Sequence, residues 1–367
     1  MLLGVRHALV GDVLVRGDVR VENGRVAAVG VMPAGTSGLA APGFVDLQVN
    51  GFGGVDFLAA EPADYRTAGA ALAATGVTAY LPTFISSSDD AYDHAVATAT
   101  AARADTRPGP RVLGLHLEGP FLSPRWPGAH DPRHLQAPGS ALIERLGRAE
   151  TIALVTLAPE LAGAIELIEA LIARGIVVSC GHSDADADQA HAAFDAGARA
   201  ITHLHNAHRR FAHRDPGLGG VALVRPQVTV QAVVDGVHLA PEVAYAAFLT
   251  ARERFCLVTD AMAAAGLGDG AYRLGTRDVE VEGMSARLAD GTFAGSVLTM
   301  DAAVRNLVSL GASELQALLA ATRAPARLLA HPDLGVLAPG VPADIVVLDD
   351  GLEVRATLVE GHDLHHV

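Results

Sequence analysis

Two histidines, His182 and His203, close short apolar runs on either side of a helix-like stretch. Ile176-Val177-Val178 leads to Gly181-His182-Ser183. Asp186 to Ala196 is polar, alanine-rich and helically spaced, Gly197 stops it, and Ala198 to Thr202 leads to His203. A strand-helix-strand unit of this kind makes parallel strands joined by a right-handed crossover, so both imidazoles emerge past the carboxyl ends of neighbouring strands. That face is where α/β folds build their sites, and two imidazoles there suit a divalent metal such as zinc. Glu118, which ends the run from Arg111, completes a carboxylate-plus-two-imidazole set. With water in the fourth position this is an open catalytic zinc site, able to lower the pKa of that water to about 7. Asp260, just past the run from Phe255 to Thr259, is the matching base. A carboxylate opposite the metal takes the water's proton and returns it to a leaving amine.

Each of these residues taken singly says little. A strand-end histidine is more often a hydrogen-bonded structural residue, and a strand-end aspartate is commonly a helix N-cap. The weight comes from convergence, because other strand ends are polar too: Asp46-Leu47-Gln48-Val49-Asn50, His116 two residues before Glu118, and Asp235-Gly236-Val237-His238. His130 lies in a loop longer than a usual strand-to-helix connection, and such loops often act as lids. Arg214 sits near His208, Arg209, Arg210 and His213, a group able to hold an anion such as phosphate. Arg209 and Arg210 read as parts of a solvated loop.

The elements that must position these groups form a repeating pattern. Strand-like runs at Gly43–Asn50, Gly76–Leu81, Arg111–Glu118, Thr151–Leu157, Ile176, Ala198, Val228–Val234 and Phe255–Thr259 alternate with helical stretches. Those helices read as Pro62–Ala74, Asp89–Ala104, Glu160–Arg174, Asp186–Ala196 and Pro241–Thr250. The expected fold class is α/β: a (β/α)8 TIM-like barrel with a small β-sandwich domain built from both termini. The boundaries read as 1–41 together with 334–367 for the β domain and 42–333 for the barrel. Asn23-Gly24 between Val21 and Val26 marks a hairpin in the first part. Tyr272 to Phe293 breaks the rhythm as a hairpin insertion, and helices resume at Met300–Leu310 and Glu314–Leu329. Half of the 367 residues are hydrophobic but only 4% aromatic, so the core must be mostly Ala, Val and Leu. The net charge of −14 argues against nucleic acid or anionic membrane as partner. Cys180 and Cys256 fall in apolar runs and suggest no disulfide framework. No secretory leader or membrane-spanning stretch is evident, so the expected setting is soluble and cytoplasmic.

The ordered motifs PGFVDLQVNG (from Pro42), GVTAYLPT (from Gly76), GLHLEGPF (from Gly114), VTLAPE (from Val155), GHS (from Gly181), THLHNA (from Thr202), Arg214-Asp215-Pro216-Gly217, DGVH (from Asp235), LVTDAM (from Leu257) and FAGS (from Phe293) run the length of the chain. Together they resemble the N-acetylglucosamine-6-phosphate deacetylases of the amidohydrolase superfamily. The resemblance implies one divalent metal per subunit, with zinc foremost and iron, manganese or cobalt also suited. Glu118, His182 and His203 would bind it, with Asp260 as acid/base. It further implies that Ala129, His130, Asn206 and Ala207 contact the sugar or its acyl carbonyl, that Arg214 and His238 hold the 6-phosphate, and that Phe293, Ala294 and Gly295 line the pocket. It implies a homodimer whose active site is shared between subunits. Two positions depart from the pattern. Many superfamily members carry His-x-His at the end of strand one, where this chain has Gln48-Val49-Asn50, and an amide is a poorer ligand than imidazole. His208 stands where the family usually has Met, which bears on sugar selectivity.

The expected reaction is hydrolysis of the acetamide of N-acetyl-D-glucosamine 6-phosphate to glucosamine 6-phosphate and acetate, with His130 helping to polarise the carbonyl. One rival is an amidohydrolase for another N-acyl amino-sugar phosphate or a cyclic amide. A second is a catalytically silent sugar-phosphate binder, against which the complete set of Glu118, His182, His203 and Asp260 speaks.

Overall fold

A computed structural model describes residues 1–147 and 151–367 of the chain. Eight parallel strands form the barrel: Phe44–Val49, Val77–Ile85, Leu115–Glu118, Ile152–Leu157, Val177–Cys180, Ala200–Ile201, Thr229–Ala232 and Phe255–Leu257. Backbone ladders join each strand to the next in that order. The seam between the eighth strand and the first is closed differently. Asp46 accepts from the Thr259 amide (3.2 Å) and hydroxyl (2.6 Å), and Asn50 and Gly51 amides donate to the Ala261 carbonyl. The barrel core is built from buried Ala, Val and Leu with a few rings such as Phe44, Tyr80 and Phe255, as the composition requires.

Before entering the barrel the chain lays down most of a second layer structure. A six-stranded mixed sheet takes Val13–Arg16, Val5–Val10 and Ser37–Pro42 from the first part of the chain and Ile345–Leu348, Val354–Val359 and His362–His366 from the last. The hairpin Asp18–Glu22/Arg25–Val31 packs on it, sharing a separate apolar core of Val5, Ala8, Val19, Val26, Ile345 and Leu358. The turn is Asn23-Gly24 with both φ positive (50° and 74°), as a two-residue hairpin loop demands. Ser37–Pro42 runs on through Gly43 into the first barrel strand. A side chain at Gly43 would lie 2.1 Å from the Thr78 hydroxyl, so only glycine fits the junction.

Several boundaries differ from the sequence reading. The run Arg111–Glu118 is two strands, Arg111–Val112 and Leu115–Glu118, parted at Gly114 with φ 152°. The expected helix Glu314–Leu329 breaks at Thr322 into Glu314–Ala321 and Arg323–Leu328. Pro325 lies early in the second piece, where its missing amide costs nothing. The helix read from Glu160 begins at Ala164, after Gly163 at φ 82°. Gly217–Val224 is a helix despite three glycines, held by packing of Leu218, Val221 and Ala222. The insertion is a three-stranded sheet over Gly270–Arg287. Both cysteines are buried and free. None of the described helices is long and apolar enough to cross a membrane.

Candidate active site and metal centre

Strands three, five and six deliver Glu118, His182 and His203 to one point at the carboxyl end of the barrel. His182 Nε2 and His203 Nε2 lie 3.1 and 2.9 Å from Glu118 Oε1, and 3.1 Å from each other. All three side chains are buried. A tetrahedral zinc with bonds of about 2.0–2.1 Å spaces its ligands about 3.3 Å apart, close to this triangle. The hydrogen-bond pattern also fits a cation. The Trp126 carbonyl accepts from His182 Nδ1 at 3.0 Å, so Nε2 is the ring nitrogen left facing Glu118. Burial pushes the Glu118 carboxyl up, but the hydrogen bonds and charges of His182 and His203 pull it well below the ordinary range. Burial likewise pulls His203 down, and Glu118 more than offsets it.

Glu118, His130 and His182 also bring ligand atoms within 4.8 Å of one another. His130 is nonetheless a donor in this site. The Ser86 amide donates to His130 Nδ1 at 3.1 Å, which places the proton of the neutral ring on Nε2, 3.9 Å from Glu118 Oε2. Burial, and then the charge of His182, lowers His130 to about 3, so the ring is neutral and offers one N–H. His203 therefore completes the ligand triangle better than His130.

Asp260 faces the cluster from strand eight. Asn50 Nδ2 donates to its Oδ1 at 2.7 Å, and Gln48 Nε2 bridges Asp260 Oδ1 and Glu118 Oε1 at 3.0 Å each. Burial, with the Glu118 charge next, raises Asp260 to about 6, a value suited to a base working near neutrality. The two amides read in the sequence as poor metal ligands thus act as donors that hold two carboxylates side by side. His182, His203 and Asp260 all have positive φ (49°, 28° and 51°). Left-handed backbone at a non-glycine residue costs about 1–3 kcal/mol and persists where surrounding structure enforces it.

The remaining residues fall around this centre. Ala129 is buried next to His130 in the loop whose Gly128 sits so close to His182 that a side chain there would meet the ring at 2.9 Å. Asn206 and Ala207 follow His203, and the Ala207 carbonyl accepts from the Ser183 amide, tying the two histidine loops together. The His238 ring stands 5.0 Å from that of Phe293, with Nδ1 held by Asp235 at 2.7 Å. Ala294 is buried, and Gly295 packs so tightly on Asp260 that a side chain would meet its carbonyl at 2.8 Å. Arg214 lies outside the hydrogen-bonded cluster, exposed, in the turn closed by Ala212 and Asp215. Arg209 pairs with Asp215 at 2.7 Å instead. His208 is buried and donates through Nε2 to the Thr202 carbonyl. His116 does not touch Glu118. It bonds the Thr83 and Thr156 hydroxyls in a polar layer beneath the site. Sequence reasoning missed the orienting roles of Ser86, Trp126 and Glu160, the last accepting from Ser183 and Asp184. Only the length of the loop carrying Trp126 hinted at them.

The amidohydrolase family profile matches residues 39–363. Human N-acetylglucosamine-6-phosphate deacetylase is 41% identical over 88% of this chain and 82% of its own length. N-acetylgalactosamine-6-phosphate deacetylase of Escherichia coli O157:H7 is 36% identical over 94% of this chain and 93% of its own. Among solved structures, an aspartate-to-alanine variant of N-acetyl-D-glucosamine-6-phosphate deacetylase from Mycobacterium smegmatis, in complex with N-acetyl-D-glucosamine-6-phosphate, superposes with a TM-score of 0.93. It is 37% identical and covers 99% of both chains.

Proposed function

Because the chain belongs to the amidohydrolase family, we propose that it hydrolyses the acetamide of N-acetyl-D-glucosamine 6-phosphate to glucosamine 6-phosphate and acetate. The single observation that carries this is the convergence of Glu118, His182 and His203 opposite Asp260. A divalent cation held by those three residues supplies, when bound, a Lewis acid that polarises the acyl carbonyl and acidifies water. Asp260 takes the proton of the attacking water and hands it to the departing amine, for which a carboxyl near 6 is suited in both directions. His130 presents its Nε2–H to the carbonyl oxygen as negative charge develops there. Gln48 and Asn50 keep the Asp260 carboxylate aimed. Ala129, Asn206, Ala207, Phe293, Ala294 and Gly295 surround the sugar, and His238 with Arg214 takes the phosphate.

Zinc is the metal of choice for two imidazoles and one carboxylate. The working unit is a homodimer, for which exposed Phe211, three residues before Arg214, supplies apolar surface. Residues 1–41 with 334–367 form one domain and 42–333 the other, supported by the separate apolar core of the terminal sheet. The cytoplasm is the setting, with which two free buried thiols agree.

The galactosamine relative supports a second reading, in which the 4-epimer is the preferred substrate. Acetate release from both sugar phosphates, before and after chelation and with zinc, iron, manganese or cobalt restored, tests the proposal. Turnover that survives complete chelation refutes the metal-dependent route, and a higher kcat/KM for the galactosamine ester selects the second reading.

A further inference from the structure

One cavity among the described residues lies away from the mouth. It lies at the opposite end of the barrel, where the loop entering strand three meets the last two strands of the terminal sheet, and measures about 840 Å³. That is within the range of small-molecule sites. Its wall carries four arginines, Arg66, Arg103, Arg107 and Arg111, against two carboxylates, Asp105 and Glu360. This is an unusual excess in a protein of net charge −14. The chain has no lysine, so every fixed side-chain cation is a guanidinium, the group whose fork matches phosphate oxygens.

Two further observations point to a ligand. Arg111 Nε and His331 Nδ1 are buried and have no hydrogen-bond partner among the described residues, and both residues line the cavity. Buried polar atoms are rarely left unpaired without reason. Arg111 is tied on its other side to Asp344 of the terminal segment. Arg103 is exposed and makes no ion pair among the described residues, whereas Arg107 and Arg66 share Asp105 at 2.6 and 3.8 Å. Tyr65 and Tyr80 supply ring surface to the same wall.

We propose that this cavity is a second binding site, separate from the hydrolytic centre, for a small phosphate ester carrying more than one negative charge. Arg103, Arg66 and Arg107 meet its phosphoryl oxygens, and Arg111 and His331 close the inner end. A ligand there bridges the barrel floor and the terminal sheet. Occupancy therefore stabilises the chain by mass action without blocking the mouth.

Fructose 1,6-bisphosphate, titrated calorimetrically into the metal-loaded enzyme at low ionic strength, serves as the probe. The expected result is one site in the wild type and in His238→Ala, and at least a tenfold weaker affinity in Arg66→Ala/Arg103→Ala. A saturable rise in melting temperature should be lost in the double variant. Arg103→Ala alone, altering an exposed side chain, gives the same direction if the double variant does not fold. Unchanged affinity in both cavity variants, loss of binding in His238→Ala, or no binding to the wild type at millimolar probe each overturns the proposal.

Discussion

The mouth of the barrel has two arcs that are built in different ways. Strands three, five and six carry Glu118, His182 and His203, and neighbouring strands there are locked by backbone ladders, Glu118 against Thr156 and Cys180 against Ile201. Strands one and eight carry Gln48, Asn50 and Asp260. They meet at a seam without a continuous ladder, held by Asp46 on Thr259, by the Asn50 and Gly51 amides on the Ala261 carbonyl, and by the two side-chain amides on Asp260. The ladder arc presents lone pairs that converge; the seam arc presents N–H groups already committed to carboxylates. A cation would therefore be favoured on one side only, and Asp260 on the other side is oriented by side-chain hydrogen bonds.

This contrast is broken most severely by removing one group from each arc. His203→Ala takes a ligand from the ladder arc, and bound metal, measured by elemental analysis, should fall with turnover. Asp260→Asn leaves the ladder arc whole. Metal content should stay near one per chain while kcat drops by about 10²–10⁴-fold, the usual contribution of a positioned acid/base. Full metal in the first variant, or near-normal turnover in the second, would erase the distinction between the arcs.

Gln48→Ala tests the bridge between them. Asp260 is raised to about 6 by burial and by the Glu118 charge, so as the proposed base it should make kcat/KM fall as pH drops through its titration. A bound cation draws this limb lower. Losing Gln48 removes a donor that favours the charged carboxylate, so the limb should move to higher pH with a roughly tenfold lower plateau, a hydrogen bond to a charged group being worth about 1.5–3 kcal/mol. A limb that stays in place in a pH-rate profile would assign it to another group.

The ladder arc was the legible part of the sequence. His182, His203 and Glu118 each close an apolar run, and the eight runs with their helices announced the barrel. The seam was less so. Nothing in Asp46-Leu47-Gln48-Val49-Asn50 says that its side chains substitute for a ladder, because that depends on strand eight ending at Leu257 in space. The amides were read for what they coordinate poorly, whereas their function rests on what they donate to. The left-handed backbone at His182, His203 and Asp260 was equally hidden, since no glycine marks it. The break at Thr322 and the helix at Gly217–Val224 are cases where packing overrides local propensity.

Arg214→Ala tests the proposed phosphate contact and should leave both arcs intact. Metal content and the acid limb should be unchanged, while KM for the phosphorylated sugar rises about ten- to a hundred-fold, the equivalent of one charge-assisted hydrogen bond. KM for the unphosphorylated sugar should hardly move. Equal effects on both sugars in steady-state kinetics would take Arg214 away from the phosphate.

The smallest expected effect concerns the seam's own chemistry. Asp46 accepts from Thr259 twice and from the Gln48 amide at 3.3 Å, yet burial outweighs these donors and raises its carboxyl to about 7. The folded protein thus holds a proton there that the unfolded chain, near 3.8, releases. A raised carboxyl contributes stability that is fully present below the unfolded value and is lost as pH climbs through about 7. Asn at this position does not titrate, and it turns an amide N–H₂ toward one of the Thr259 donors, at a cost of about 1–3 kcal/mol. The melting temperature of Asp46→Asn should therefore lie a few degrees below wild type at pH 5, and the gap should narrow toward pH 8 as the wild type loses its advantage. A gap that widens with pH would mean that Asp46 is an ionised anchor. The seam would then be closed by charge-assisted hydrogen bonds, and the two arcs would differ in charge as well as in construction.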